Sequence, residues 1–185
     1  IMNAKDLMGI YQIPACIQAN IASLKIEGRM KSNLYVANAV QCYREAIDYC
    51  YEQIEANQSI DFARLEQLEN RLKRVSNRDF STGGLEYIPA GESIHYDFGG
   101  YQKQLDYIGV IRDVIDNERV VIDVKNTFKK GDQLSFFQSN SIHNYIVKQI
   151  SNSAGQAIEA SKQNSLVSLP YFKDAQPFDI VAKSI

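Results

Sequence analysis

One stretch of the sequence decides the fold: Ser23-Leu24-Lys25-Ile26-Glu27-Gly28-Arg29-Met30-Lys31-Ser32. Apolar and charged residues alternate over positions 24–27, which predicts a strand from about Ala22 to Glu27. Gly28 permits a tight exit from this strand, because glycine has no Cβ to clash at unusual backbone angles. A helix is predicted to begin near Ser32 or Asn33, so Arg29 and Lys31 stand between a strand end and a helix N-terminus.

These charged residues allow two interpretations. Cations beside a glycine turn and a helix N-terminus could hold an anion, because the free N–H groups of the first helical turn also attract negative charge. Alternatively, Lys25 and Glu27 form an ion pair and Arg29 is solvated, as most charged residues beside turns are. The residues by themselves favour the second interpretation.

The segment that follows carries the clearest helical pattern in the chain, from about Asn33 to Ile54. Apolar residues at alternating spacings of four and three predict one buried stripe: Val36, Val40, Tyr43, Ile47, Cys50 and Ile54. The polar side is predicted to hold Gln41, Arg44, Glu45, Asp48 and Glu52. A second helix is predicted over Phe62–Val75 with Asp61 as its cap, and a short upstream helix is predicted to begin at Pro14.

Helical periodicity disappears after Ser76, and short strands separated by turns take its place. The predicted strands are Tyr107–Ile115, Arg119–Val124, Gln133–Gln138, Tyr145–Ile150, Ala157–Ala160 and Phe178–Ala182. Asp116-Asn117-Glu118 and Lys130-Gly131-Asp132 are predicted turns. Regularly spaced short strands favour a small closed antiparallel barrel, because closure removes exposed edges.

Composition restricts the class of protein further. The 185 residues have a net charge of -2, so contact with nucleic acid would need a local basic patch. No apolar run approaches the length of a membrane span, and no membrane partner is expected. Three cysteines without close pairing do not form a disulfide framework, which indicates a reducing, cytoplasmic location. Ile1-Met2-Asn3 is unlike a natural start, so we expect a C-terminal fragment of a longer protein.

Several motifs resemble peptidase family U32, the collagenase-like proteases. The match includes the stretch at 23–32, Tyr35-Val36-Ala37 and Tyr43-Arg44-Glu45-Ala46-Ile47-Asp48, with Ile1-Met2-Asn3-Ala4-Lys5-Asp6-Leu7 upstream. Looser similarity continues through Asn77-Arg78, Thr82-Gly83, Gly100-Tyr101, Tyr107-Ile108-Gly109 and Val124–Asp132. The most similar subgroup is the prephenate-dependent tRNA uridine hydroxylation proteins.

The resemblance implies an α+β fold with three parts. Residues 1–56 would be the C-terminal βα units of a truncated TIM-like (β/α) barrel, residues 57–77 a connecting helix, and residues 78–185 a small antiparallel β-barrel. It also implies that Lys25, Glu27 and Arg29 lie at a catalytic site. An iron–sulfur cluster is implied for several full-length relatives, with one ligand at the position that Met8 occupies here.

The three cysteines do not form a cluster motif. Cys50 belongs to the predicted apolar stripe and Cys42 borders it, so both are interpreted as core residues, and Cys16 is displaced from the position of Met8. We therefore expect no metal site or cofactor in this chain and expect the cluster ligands upstream of it. His95 and His143 are interpreted as surface or hydrogen-bonding residues, because no protease motif accompanies them.

Basic residues with aromatic neighbours are the remaining signal. Lys125, Phe128, Lys129 and Lys130 cluster at a strand end, and Arg78, Tyr101 and Lys103 lie elsewhere in the second domain. Lysines can follow phosphates and exposed aromatic rings can stack on bases, but a solvated turn explains the same residues equally well. With Arg29 and Lys31, the three lysines are the candidate RNA-binding residues.

Two functions from different classes remain open. In the first, the intact protein hydroxylates a tRNA uridine and its β-barrel helps to bind the tRNA. In the second, it is a peptidase whose C-terminal domain positions a protein substrate. Either way this chain by itself should be inactive, and the apolar stripe of its long helix favours self-association.

Overall fold

The computed structural model describes residues 3–75, 78–86, 88, 94–95, 103–139 and 141–185. The chain forms two compact units, one from Ile1–Met30 with Asn38–Gln104 and the other from Lys31–Ala37 with Leu105–Ile185. The larger part of the second unit therefore begins at Leu105. None of the described helices is both long and apolar enough to cross a bilayer.

Three α-helices are described. They are α1 (Ile13–Gln18), α2 (Asn33–Glu55) and α3 (Phe62–Lys73), and a 3₁₀ turn at Ile10–Gln12 precedes α1. Pro14 lies in the first turn of α1, where its missing N–H would have no intrahelical partner. The two long helices confirm the predicted spans to within two residues.

Local signals define the hairpin between α2 and α3. Asn57 has a φ of 52°, and the Asn57 and Gln58 N–H groups bond the Ile54 and Gln53 carbonyls, which is a Schellman termination. Asp61 then caps α3, because its carboxylate accepts the Ala63 N–H at 2.9 Å. The Asp61 N–H in turn donates to the Tyr49 hydroxyl at 2.8 Å, so the connection is tied back to α2.

The buried face of α2 differs from the predicted stripe. Asn38, Cys42, Ala46 and Cys50 are buried at intervals of four residues, whereas Val36 and Val40 are 37% and 49% exposed. The buried face includes Gln41, which the pattern assigned to the polar side. This difference arises because α2 packs against α3. The Arg71 guanidinium of α3 donates hydrogen bonds to the side-chain oxygens of Gln41 and Glu45, so polar groups can lie in this contact.

The remaining structure of the first unit is formed by four two-residue strands: β1 (Asn3–Ala4), β2 (Asp6–Leu7), β3 (Phe80–Ser81) and β4 (Ile94–His95). β1 pairs with β4 antiparallel, and β2 pairs with β3 parallel. The strand predicted at Ala22–Glu27 is wrong, because this segment is exposed and irregular. A strand needs a neighbour to complete its ladder, and no described strand pairs with these residues.

The second unit is an eight-stranded antiparallel sheet. Its strands are β5 (Leu105–Ile115), β6 (Arg119–Val124), β7 (Gln133–Phe137), β8 (Ile142–Ile146), β9 (Ile150–Asn152), β10 (Ala157–Ile158), β11 (Leu166–Pro170) and β12 (Ile180–Ser184). The spatial order is β10-β9-β11-β6-β5-β12-β7-β8. One core cluster takes residues from strands across the whole sheet, among them Ile111, Ile122, Phe136 and Leu169. The strands of this sheet therefore share one hydrophobic core.

Most strand predictions agree with this sheet. β5, β6 and β7 are confirmed, and the predictions at 157–160 and 178–182 overlap β10 and β12. The prediction at Tyr145–Ile150 is wrong in its extent, because β8 ends at Ile146 and β9 begins at Ile150. β11 was missed, although Val167 and Leu169 alternate with more exposed neighbours.

The two predicted turns have different outcomes. Asp116 and Asn117 both have positive φ angles and Glu118 N–H bonds the Ile115 carbonyl, as in a two-residue hairpin turn of type I′. Lys130-Gly131-Asp132 is a turn with Gly131 at a φ of 90°, but it joins strands that are not neighbours. It is therefore a crossing connection and not a hairpin.

Candidate functional site

The structure does not assemble a site from the charged residues of the stretch at 23–32. Lys25 and Glu27 form an ion pair at 2.8 Å, with side chains 85% and 71% exposed, and Arg29 is exposed. This is the solvated arrangement that the residues by themselves favoured. Lys31 belongs to the second unit, where its ammonium lies 4.7 Å from the centre of the Tyr35 ring, a cation–π distance.

A cavity of about 340 Å³ adjoins this stretch within the first unit. Its lining includes Ile13 and Cys16 of α1, Leu24 of the irregular segment, and Arg44 and Ile47 of α2. The Arg44 guanidinium is bound to Asp48 by two hydrogen bonds, one of 3.0 Å and one of 2.5 Å. The one cation among the lining residues is therefore already paired.

The cysteines do not suit an iron–sulfur cluster. Burial raises the pKa of the Cys42 thiol to about 11 and also raises the pKa of Cys50, so both are protonated at neutral pH. The ligands of an iron–sulfur cluster are cysteine thiolates, and several of them must lie close together to bind one cluster. Cys42 instead donates to Asn38 Oδ1 at 3.9 Å, and no group of three metal-ligating side chains occurs among the described residues.

His143 belongs to an aromatic cluster at the edge of the second unit. Its ring lies parallel to the ring of Phe172, with centroids 4.7 Å apart, and Phe136 and Tyr145 pack around the same phenylalanine. His95 lies in β4, where it pairs with Asn3. Stacking of His143 on a buried ring is a structural role, although the sequence predicted a surface or hydrogen-bonding residue and not a stacked one.

A polar pair in the first unit was not recognised as a pair from the sequence. Asp6 is only 6% exposed, and it accepts from Arg78 Nη2 at 3.3 Å, while the buried Arg78 Nε has no hydrogen-bond partner among the described residues. The neighbouring residues Lys5 and Asp79 form a second ion pair, with 3.1 Å between Lys5 Nζ and Asp79 Oδ2. The parallel pairing of β2 with β3 brings these residues together across more than 70 positions of sequence.

A group of cations lies at one end of the sheet in the second unit. We call this the lysine-rich end and define it by six residues: Lys125, Lys129, Lys130, Lys148, Lys162 and Lys183. Hydrogen bonds between distant segments bring them to one end. The Val147 carbonyl accepts the Gly131 N–H, and the Val147 N–H donates to the Asp132 carbonyl. Lys129 and Ala160 form an isolated antiparallel β-bridge.

Ser161 holds the crossing connection in place. Its hydroxyl accepts the Phe128 N–H at 2.9 Å, and its own N–H donates to the Phe128 carbonyl at 2.8 Å. Phe128 is only 2% exposed and belongs to the core cluster. The expectation that Phe128 could present a ring for base stacking is therefore wrong, and its burial instead fixes the backbone of the neighbouring lysines.

Acidic residues pair with half of these lysines. Lys125 lies 3.0 Å from Asp123, Lys130 lies 4.0 Å from Glu159, and Lys183 lies 3.1 Å from Asp132. Partial burial raises the pKa of Asp132, but hydrogen bonds from the Lys129 N–H and the Lys183 ammonium outweigh it and lower the pKa below its ordinary value. Among the described residues, no carboxylate lies within ion-pairing distance of Lys129, Lys148 or Lys162.

The sequence identified only part of this end. Lys125, Lys129 and Lys130 were named from one continuous segment, and backbone hydrogen bonds to Ile108 and Glu159 hold that segment at this end of the sheet. Lys148, Lys162 and Lys183 were missed, because only strand pairing brings them to the same place. Arg78 and Lys103 belong to the first unit, and Tyr101 lies outside the described residues.

Comparisons with known proteins agree with the sequence motifs. Residues 1–95 match the model of peptidase family U32, and residues 103–182 match its C-terminal domain. The tRNA hydroxylation protein P1 of Bacillus subtilis is 35% identical over 165 residues, which is 87% of this chain and 37% of that protein. The tRNA hydroxylation protein P of Escherichia coli is 30% identical over 85% of this chain and 33% of its own length.

A collagenase of Porphyromonas gingivalis is 34% identical over 110 residues, which is 59% of this chain and 29% of the collagenase. The chain thus spans about a third of the length of the curated relatives that it matches.

Proposed function

The chain belongs to peptidase family U32, and from that premise we propose that the intact protein acts in tRNA hydroxylation, at the wobble uridine. The observation that carries this proposal is the 35% identity, over 87% of this chain, to a tRNA hydroxylation protein. The tRNA is then the partner of the intact protein, which would work in the cytoplasm.

The proposal assigns a part of the intact fold to each unit. The segment at 22–27 would become a strand of a TIM-like barrel once neighbouring strands complete its ladder, because its alternation already suits a strand. The exposed apolar residues Leu24 and Ile26, which are 43% and 39% exposed, support this. The antiparallel sheet of the second unit would close as a small β-barrel around its one core cluster.

The residues named from the sequence take roles in this arrangement. Lys25, Glu27 and Arg29 would stand at the carboxyl end of that barrel strand, where catalytic residues of such barrels lie. Arg29, Lys31, Lys125, Lys129 and Lys130 would contact RNA. An iron–sulfur cluster would take its ligands from outside this chain, since the protonated, buried Cys42 and Cys50 do not fit that role. This chain by itself would then be inactive.

The experiment is mass spectrometry of wobble uridines in tRNA from cells that lack the intact protein. We expect hydroxylated uridine to disappear and to return when the gene is supplied again. Normal hydroxylation in the deleted cells would refute the proposal.

A variant tests the assignment of Arg29. Arg29→Ala in the intact protein should abolish most of the rescue and leave the melting temperature nearly unchanged, because the side chain is exposed. Arg119→Ala, at an exposed position in the second unit, is the matched control and should rescue fully. A fall of several degrees for Arg29→Ala would instead mark Arg29 as structural.

The similarity to a collagenase supports a second candidate, a peptidase whose C-terminal domain positions protein substrate. It predicts that the pure intact protein cleaves gelatin after contaminating proteases are removed. The first proposal predicts no cleavage.

A further inference from the structure

The sheet of the second unit separates its charges along the strands. Nine lysines and arginines lie between positions 105 and 185, and six of them form the lysine-rich end. The other three, Arg112, Arg119 and Lys173, lie toward the opposite end, which carries most of the acidic residues: Asp113, Asp116, Glu118, Asp174 and Asp179. Four carboxylates lie at the lysine-rich end: Asp106, Asp123, Asp132 and Glu159. Six lysines against four carboxylates leave this end with a net positive charge, and three cations against five carboxylates leave the opposite end with a net negative charge.

The two ends are too far apart to neutralise each other. β6 runs from Arg119 to Val124, and at about 3.3 Å per residue its two ends are roughly 20 Å apart when Lys125 is included. The Debye length at physiological ionic strength is about 8 Å. A polyanion that approaches the lysine-rich end therefore meets a net positive surface.

The six lysines of that end differ in whether a carboxylate pairs with them. Lys125, Lys130 and Lys183 each have a carboxylate within 4.0 Å, and Lys183 also ties β12 to Asp132. Lys129, Lys148 and Lys162 are exposed and have no ion pair with a described residue. They come from three separate connections, so together they cover a surface and not a single strand.

We propose that the lysine-rich end binds the phosphate backbone of a structured RNA, with Lys129, Lys148 and Lys162 as the phosphate contacts. The choice of RNA as occupant rests on the proposed function. Recognition is by charge and position and not by base stacking on Phe128, because that ring is in the core. Hydrogen bonds at Ser161 and Asp132 hold the backbone of the lysines, so the contacts are placed before the RNA arrives.

The test measures binding of fluorescein-labelled tRNA to this chain by anisotropy, over a series of KCl concentrations. The variant Lys129→Gln/Lys148→Gln/Lys162→Gln removes the three contacts. The matched control is Arg112→Gln/Arg119→Gln/Lys173→Gln, which removes the same charge from exposed residues toward the opposite end. Circular dichroism of both variants verifies that the sheet is retained.

We expect the lysine variant to bind at least tenfold more weakly at 100 mM KCl. Because each phosphate contact contributes about 0.9 to the slope of log K against log salt, its slope should fall by roughly two to three. The control variant should bind within twofold of the unchanged chain.

Three results would overturn the proposal: no binding of tRNA by the unchanged chain, equal weakening by both variants, or stronger binding to phosphatidylserine vesicles than to tRNA at the same salt. Failure of the proposed function gives a different result, normal wobble-uridine hydroxylation in deleted cells. The two conclusions can therefore fail separately.

Discussion

Gly109 lies where β5 and β6 approach each other closely, and replacing it tests the register of the sheet. A Cβ at this position would lie 3.1 Å from the Asp123 carbonyl carbon and 3.3 Å from the Val124 Cα, and closer still to the Asp123 carbonyl oxygen. These are backbone atoms of the paired strand, so no side-chain rotation relieves the clash. Gly109→Ala should therefore force the two strands apart.

The size of the effect follows from what must move. Overpacking costs about 1–3 kcal/mol, and two neighbouring hydrogen bonds to the Ile108 carbonyl, from Lys125 at 2.7 Å and Asn126 at 3.1 Å, would weaken. At about 1 kcal/mol each they add roughly 2 kcal/mol. Lower entropy of the unfolded chain offsets about 0.4–1 kcal/mol. The net expected loss is about 3 kcal/mol of unfolding free energy.

Urea unfolding, followed by circular dichroism and tyrosine fluorescence, measures this loss. With a slope of about 1–3 kcal/mol per molar urea, the midpoint should fall by at least about 1 M. Gly155→Ala is the matched control, because its methyl would meet open space and only the φ of 78° penalises it, by about 1 kcal/mol. If Gly109→Ala destabilises no more than this control, the β5–β6 register is wrong.

Three further substitutions test the remaining conclusions. Arg71→Met leaves Gln41 and Glu45 without their guanidinium partner and should lower the unfolding free energy by about 2–3 kcal/mol, since the ion pair is about a quarter exposed. Arg44→Met is the control and should lower it by under about 0.5 kcal/mol, because the pair of Arg44 with Asp48 is more than half exposed. Equal losses for the two variants would contradict the α2–α3 contact. Ala46→Leu should overpack the buried face of α2 and lower the unfolding free energy by about 1–3 kcal/mol, whereas Val40→Leu should change it by under about 0.5 kcal/mol. If thermal melts showed the larger loss for Val40→Leu, the buried face would be the stripe predicted from the sequence. Asp132→Asn should destabilise by about 1–2 kcal/mol at pH 7 through its charge-assisted hydrogen bonds. Because folding lowers the pKa of Asp132, its stabilisation is fully present above the unfolded pKa of about 3.9 and is lost as pH falls through the lower folded value. The difference in unfolding free energy between the two proteins should therefore shrink as the pH is lowered below about 3.9, and a difference that stays constant over that range would refute the assignment.

Local chemistry made several features predictable from the sequence alone. Asp61 caps α3 because a carboxylate can reach an N–H two residues ahead, and Asp116-Asn117 turns the chain because both tolerate positive φ. The alternation in β6 and the many β-branched residues of β5 indicate strands without knowledge of their neighbours. The motifs of residues 23–48 likewise identified the family.

Only the tertiary structure decided which surfaces meet. The buried face of α2 is set by Arg71 on another helix, and the pattern of apolar residues could not show that a polar partner was available. The segment at 22–27 has the alternation of a strand, yet backbone hydrogen bonds need a neighbour that local sequence does not supply. Lys148 and Lys162 join Lys129 only through the pairing of distant segments. Contacts between residues far apart in sequence depend on the whole chain's packing, and so the candidate RNA surface could be read only in part from the sequence.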